Sequence, residues 1–256
     1  MMNINKRTSS DTDIDTVLKT SLINPFDYLP TSPKILSIDN KTYGTRGNFS
    51  CIVGKPKSRK TFLLALLEAN LIADSLSKGR IESYIQDTDI IHFDLEQSIY
   101  HARKFNKRVI SLSGEKALKK LKVYTLREHG IKTRRLAIER AIKKSNNLSL
   151  VVIDGIADLV NSYNDEEQAH EIVKHLMNWS KTSNIHIIVV IHTTKTSSDP
   201  KGHLGSIIMQ KAETVLTVST EKNKNLTNVS TLCSRNEDEI QFSFKINDKE
   251  LPELIY

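Results

Sequence analysis

Two runs in the middle of the chain, "LSLVVID" ending at Asp154 and "IHIIVVIH" ending at His192, restrict the fold more than any other feature. Each is apolar or β-branched at almost every position instead of alternating, so each reads as a strand buried on both faces. Between them lies "DEEQAHEIVKHLMNWSKTSN", an amphipathic helix with acids in its first turn, where the helix dipole favours them. A strand-helix-strand succession of this kind joins parallel strands and needs helices on both faces of the sheet.

The same alternation runs back toward the N-terminus. "NFSCIVG" (Asn48 to Gly54) predicts a buried strand, and "TFLLALLEANLIADSLSKG" a helix capped at Gly79. "DIIHFDLEQS" predicts a strand ending in acids, "SIYHARKFNKRVISL" a basic helix, "KLKVYTLRE" a strand and "TRRLAIERAIKKSNN" an amphipathic helix. Beyond His192, short alternating runs separated by Asn, Lys and Asp predict antiparallel strands that extend the sheet edge. The expected fold is therefore α/β: a mostly parallel sheet flanked by helices on both faces, with antiparallel C-terminal edge strands. It occupies residues 35–256, preceded over 1–34 by a polar leader whose Pro25, Pro30 and Pro33 give an extended approach. A chain of 256 residues suits one such domain.

Other classes are excluded. The longest uninterrupted apolar run, Ile187 to Ile191, is far short of the ~20 residues a membrane helix needs. The polar N-terminus lacks the apolar core of a secretory signal, which implies a cytoplasmic protein. Cys51 and Cys233 lack the paired spacing of a zinc site and are expected to be buried small apolar residues. The net charge of +7 fits a polyanionic partner, nucleic acid above all, and fits equally well a lysine- and asparagine-rich proteome.

The chemistry centres on "GKPKSRKT", Gly54 to Thr61, which matches the phosphate-loop pattern G-x-x-x-x-G-K-[ST] except that Arg59 replaces the second glycine. Gly54, Lys55, Pro56, Lys57, Ser58 and Arg59 would offer the loop backbone, and Lys60, Thr61 and Phe62 the start of the helix. In such a loop lysine neutralises the β/γ-phosphate oxygens and Thr holds Mg²⁺, the roles of Lys60 and Thr61. Arg59 keeps its backbone N–H, provided that its side chain points away from the phosphates, whereas Pro56 removes one donor. Asp154 ends an apolar strand expected beside the loop strand, where it could bind Mg²⁺ through water. Glu96, expected one strand removed from the loop, could take a proton from an attacking water, and Asp94 on the same side competes for that role. His192 and Thr193 end a strand at the carboxyl edge, where ligands of open α/β sheets bind. Each has an ordinary alternative: a strand-end turn residue for Asp154, a solvated acid for Glu96, a core histidine for His192.

Together these elements resemble the RecA-like ATPase superfamily over roughly residues 35 to 247, specifically the compact replicative-helicase type of the plasmid RepA and DnaB group, with KaiC and RadA as wider relatives. The resemblance implies that Lys60 and Thr61 bind ATP and Mg²⁺, that Glu96 activates water, that Asp154 supports Mg²⁺ and that His192 senses the γ-phosphate. It places the loop Thr194 to Ser206 at a central pore, touching single-stranded DNA through Lys195, Lys201 and His203. Arg235 in "CSRN" resembles a finger inserted into a neighbouring subunit's ATP site, which implies a homo-oligomeric ring or filament without membrane association. The role implied is a helicase or mobilisation ATPase of a plasmid or other mobile element. Departures are Arg59, Pro56, Cys233 where related proteins often carry lysine, and an acidic second pore loop, "NSYNDEEQ". Two alternatives stand beside it: a nucleotide-binding but non-hydrolysing DNA scaffold, and a KaiC-like regulatory ATPase.

Overall fold

The computed structural model describes residues 14–26, 33–73, 79–85, 87–194, 200–236 and 239–255. The chain divides into two units, Met1–Thr31 and Ser32–Tyr256. Within the first, α1 (Ile14–Ser21) is a short amphipathic helix with no buried residue.

The second unit opens with a hairpin, β1 (Lys34–Ile38) and β2 (Lys41–Thr45), followed by β3 (Phe49–Gly54) and α2 (Lys60–Ile72). Next come β4 (Ile81–Ser83), β5 (Asp89–Asp94), α3 (Ile99–Ser113), α4 (Lys116–Lys120), β6 (Leu121–Thr125) and α5 (Ile131–Lys144). Then follow β7 (Leu148–Asp154), α6 (Glu166–Thr182), β8 (His186–His192), α7 (Gly202–Lys211) and β9 (Thr214–Glu221). The chain ends with β10 (Leu226–Ser234), β11 (Gln241–Ile246) and β12 (Pro252–Ile255).

Nine strands form one sheet in the order β12-β11-β10-β9-β3-β8-β7-β5-β6. From β9 to β6 all pairings are parallel, and β9 to β12 pair antiparallel, so the expected architecture holds. Side chains alternate along each strand between two cores. Ile52, Val152, Ile188 and Leu216 pack with α2, α3 and α4, while Cys51, Val53, Val151, Ile153 and Val189 pack with α5, α6 and α7. Every residue of β3 and β7 is buried, which explains why neither sequence alternates.

Four features differ from the sequence reading. A separate three-stranded sheet, β2-β1-β4, caps the first core with Ile35, Leu36, Ile38, Tyr43 and Ile81. Its hairpin turns at Asp39 and Asn40, both with positive φ, a glycine-free version of the two-residue turn that the sequence search misses. Helix α2 stops at Ile72, where its apolar stripe ends; Gly79, φ +84°, lies in the turn leading to β4 and caps no helix. In the sheet, β8 separates β3 from β7, and β8 and β7 both separate β3 from β5. Asp154 is therefore not on the strand beside the loop strand, and Glu96 is one strand further away than expected. Finally, the stretch read as a loop from Thr194 to Ser206 becomes helical at Gly202, because Leu204, Ile207 and Ile208 form a buried stripe at helical spacing.

Candidate functional site

Gly54, the last residue of β3, pairs with His192, the last residue of β8, so the phosphate-loop motif and the histidine leave the sheet side by side. Asp94 pairs in turn with Asp154, which brings both acids to the same carboxyl edge. Above this edge lies a cavity of about 800 Å³, lined by Pro56 to Phe62, Glu96, Asp154 and His192 among others.

The loop turns through two residues with positive φ, Lys57 at 65° and Arg59 at 69°. Arg59 caps α2 in the left-handed conformation, which glycine adopts freely and arginine only at a cost of about 1–2 kcal/mol. Its guanidinium is directed out of the loop, donating from Nη1 to the Asn225 carbonyl at 3.2 Å and to Thr227 Oγ1 at 3.1 Å. Gly54 is required for a different reason, since a Cβ there would lie 2.5 Å from the Val218 carbonyl oxygen.

Lys60 is buried, and its Nζ donates to the carbonyls of Gly54 and Lys55, both at 2.9 Å, and to His192 Nδ1 at 3.1 Å. Burial lowers its pKa, against the pull of Asp154 and Glu96. An ammonium can only donate, so His192 accepts at Nδ1 and carries its proton at Nε2, which faces Glu96 Oε2 at 3.4 Å. That hydrogen bond holds the Glu96 carboxyl below its ordinary range, and Lys60 adds to the effect. Lys60, His192 and Glu96 thus form one chain of contacts across the cavity floor. Beside it Thr61 Oγ1 donates to Asp154 Oδ2 at 3.3 Å, and burial pushes the Asp154 carboxyl up to about 6.

The competition between Asp94 and Glu96 has a geometric answer. Asp94 is buried, and its Oδ1 accepts from the backbone N–H of Glu96 at 3.1 Å and of Gln97 at 2.7 Å. It shapes the turn that carries Glu96 into the cavity. Gly155, φ +100°, leaves the room, because a Cβ there would lie 2.6 Å from Glu96 Cγ.

The remaining candidates lie elsewhere. Arg235 is exposed, is not among the residues lining the cavity, and donates from Nη2 to the carbonyls of Gln210 and Lys211 at the end of α7. Lys201 precedes α7 with its Nζ 4.2 Å from the Tyr163 ring centre, and His203 is exposed in the first turn of that helix. Lys195 lies outside the described residues. Cys51 is buried, whereas Cys233 is only half-buried, which corrects the expectation that both are core residues. No helix among the described residues is long and apolar enough to cross a membrane.

The sequence reading missed one wall of the cavity, formed by His101, Lys104, Phe105 and Arg108 of α3 with Glu250. The helical spacing of these α3 residues was available as a signal, since it places them on one face of a helix noted only as basic. Glu250 had none. It arrives from the turn between β11 and β12, where Lys104 meets its carboxylate at 2.5 Å and Arg108 Nε its carbonyl at 3.1 Å, while the Arg108 guanidinium lies 3.8 Å over the Phe62 ring.

The parallel sheet order and the loop at its carboxyl edge define a P-loop ATPase domain of the RecA-like kind. Residues 40–198, more than half of the chain, match the family model AAA_25, described as an AAA domain, and the chain belongs to that family. Solved structures agree in fold. The ATPase domain of a helicase superposes with a TM-score of 0.59 at 15% identity, over 83% of this chain and 86% of that one. The RadB recombinase superposes with a TM-score of 0.55 at 17% identity, over 80% of this chain and 90% of the other. No curated protein matches the sequence.

P-loop ATPases generally use ATP with Mg²⁺, and the donor set here fits that ligand. The first N–H groups of α2 have no intrahelical partner, Lys60 lies across the loop, and the buried Ser58 Oγ has no hydrogen-bond partner. Thr61 with Asp154 is the oxygen pair suited to a hydrated divalent cation.

Proposed function

We propose that this protein hydrolyses ATP as an oligomer acting on single-stranded DNA, in the manner of a helicase or mobilisation ATPase. The observation that carries the hydrolytic half is the contact chain from Lys60 through His192 to Glu96, at 3.1 and 3.4 Å, beside the Thr61–Asp154 pair. A protein that only binds nucleotide has no need of a carboxylate held ionised three sheet positions away from its phosphate loop.

In this reading Lys60 exchanges its loop carbonyls for β/γ-phosphate oxygens, and the α2 N-terminus supplies further donors. Mg²⁺, when bound, neutralises charge developing on the phosphates, and Thr61 and Asp154 would hold it. Glu96 accepts a proton from water; its low pKa keeps it ionised and ready to accept. His192 joins Glu96 to Lys60, so a change at the γ-phosphate is felt at the β8 end and in the chain that follows it. That chain leads to Lys201 and His203, whose exposure at the start of α7 supports a role in gripping DNA phosphates. The Tyr163 carbonyl accepts from the Leu204 N–H at 3.0 Å, which ties the two candidate pore loops together. The exposed position of Arg235, away from its own cavity, supports action on a neighbouring subunit.

The test is ATP turnover with and without single-stranded DNA. Turnover that DNA stimulates is expected. No turnover in either condition removes the enzyme reading, and turnover indifferent to DNA removes the DNA half in favour of a regulatory ATPase.

A further inference from the structure

Arg59 is the one residue of the loop motif that breaks the pattern, and its side chain is not idle. The loop is gripped at two successive residues by the hairpin of β9 and β10. Arg59 donates to Asn225 and Thr227, and Thr220 Oγ1 donates to the Ser58 carbonyl at 3.0 Å. Thr220 and Thr227 are direct partners on the β9–β10 ladder, so both grips belong to one rung. Thr227 is fully buried, which fixes its hydroxyl in place. The start of the loop is equally close to this hairpin, because Gly54 leaves no room for a Cβ against the Val218 carbonyl.

We infer that Arg59 is a positioning residue that ties the phosphate loop to the β9–β10 hairpin, so that the loop's grip on nucleotide depends on where the hairpin lies. A glycine here would relax into the same backbone conformation without any link to the hairpin. Arginine adopts that conformation against its own preference and gains an attachment 166 residues away in sequence. The far end of β10 is Ser234, next to Arg235. One strand therefore runs from the nucleotide loop to the residue proposed above to reach a neighbouring subunit, a route by which a neighbour could alter nucleotide affinity.

This inference rests on the ATP-site reading, and the experiment separates the two. Mg²⁺-ADP affinity and steady-state ATP turnover are measured for the full chain and for Lys60→Ala, Thr227→Val, Thr227→Ser, Arg59→Gly and Arg59→Gly/Thr227→Val. Thr227→Val is expected to weaken ADP binding and raise KM by about three- to ten-fold, leaving kcat within about two-fold, since coupled neighbours interact on that scale. Thr227→Ser restores the wild-type values, and in the Arg59→Gly background Thr227→Val has no effect on affinity. An equal effect of Thr227→Val in both backgrounds, or none in either, overturns the tether while leaving Lys60-dependent binding intact. ADP binding that is indifferent to Lys60→Ala overturns the phosphate site itself, and the tether with it. Should Thr227→Val fail to fold, Arg59→Lys and Arg59→Met carry the comparison: the lysine variant, which still donates, must bind ADP more tightly than the methionine variant, and equality refutes the tether.

Discussion

His92→Leu removes the cation from an ion pair that water does not reach. His92 Nδ1 lies 2.7 Å from Glu68 Oε1, with side-chain exposures of 1% and 0%, and the ring lies 4.2 Å from that of Phe105. The pair joins the middle of α2, whose first residue is Lys60, to β5, which ends at Asp94. Leucine in place of His92 leaves the Glu68 carboxyl buried among apolar groups, a situation that costs about 3–5 kcal/mol. For a domain of this size that corresponds to a fall in Tm of roughly 6–20 °C. Glu68→Leu in the same chain removes the stranded carboxyl, and the double variant should recover to within about 1–2 kcal/mol of the wild type, because apolar replacement of a buried pair is often close to neutral. The pair should also leave a mark on pH dependence. Burial by itself lowers the His92 pKa, but the Glu68 carboxylate and its hydrogen bond override that and leave it raised. A raised folded-state value means the stabilisation is complete below the unfolded value of about 6.5 and fades as pH rises through the folded value. Urea unfolding of the wild type, both single variants and the double variant across that range measures all of this. A double variant no more stable than His92→Leu, or one that keeps the wild-type pH profile, refutes the reasoning.

Further predictions concern the site. Glu96→Gln should lower ATP turnover by about 10²–10⁴-fold, the usual worth of a general base, with ADP affinity nearly unchanged; a parallel loss of binding would reassign Glu96 to structure. Gly155→Ala places a Cβ 2.6 Å from Glu96 Cγ at φ +100°, so thermal unfolding should show a loss of about 1–3 kcal/mol and turnover should fall with it. Lys60→Ala and Arg235→Ala should each be inactive alone, whereas mixing them before assembly should restore turnover, since one variant keeps the arginine and the other the intact loop. A mixture no more active than its components would place Arg235 outside the neighbour's site.

How far the sequence could be read depended on the range of the interaction involved. The strands β7 and β8 were plain because burial on both faces leaves a local mark, an unbroken apolar run. The helix from Glu166 to Thr182 was equally plain, and Asp165, which begins the acidic run, caps it by accepting from the Gln168 N–H at 3.0 Å. The stretch from Gly202 to Lys211 misled because a short helix after a functional strand looks like a loop until its Leu and Ile residues find a core. Strand order could not be read at all: parallel crossovers of similar length can pass over one neighbour or two, and here β8 lies between β3 and β7. The gathering of Lys60, His192 and Glu96 follows from that order, as does the separation of Asp94, which shapes a turn, from Glu96, which faces the cavity.

By itself the sequence determined the chemistry on offer: a lysine and a threonine at the mouth of a helix, acids and a histidine at strand ends, and an arginine where a loop usually needs glycine. Those are properties of residue type and short spacing, carried by neighbours along the chain. Only the tertiary structure decided which of these groups meet, that the proton on His192 faces Glu96, and that Arg59 leaves the phosphate loop to grip Thr227. Each of those contacts joins residues far apart in sequence, and only the ladder of hydrogen bonds between strands sets the distance between them.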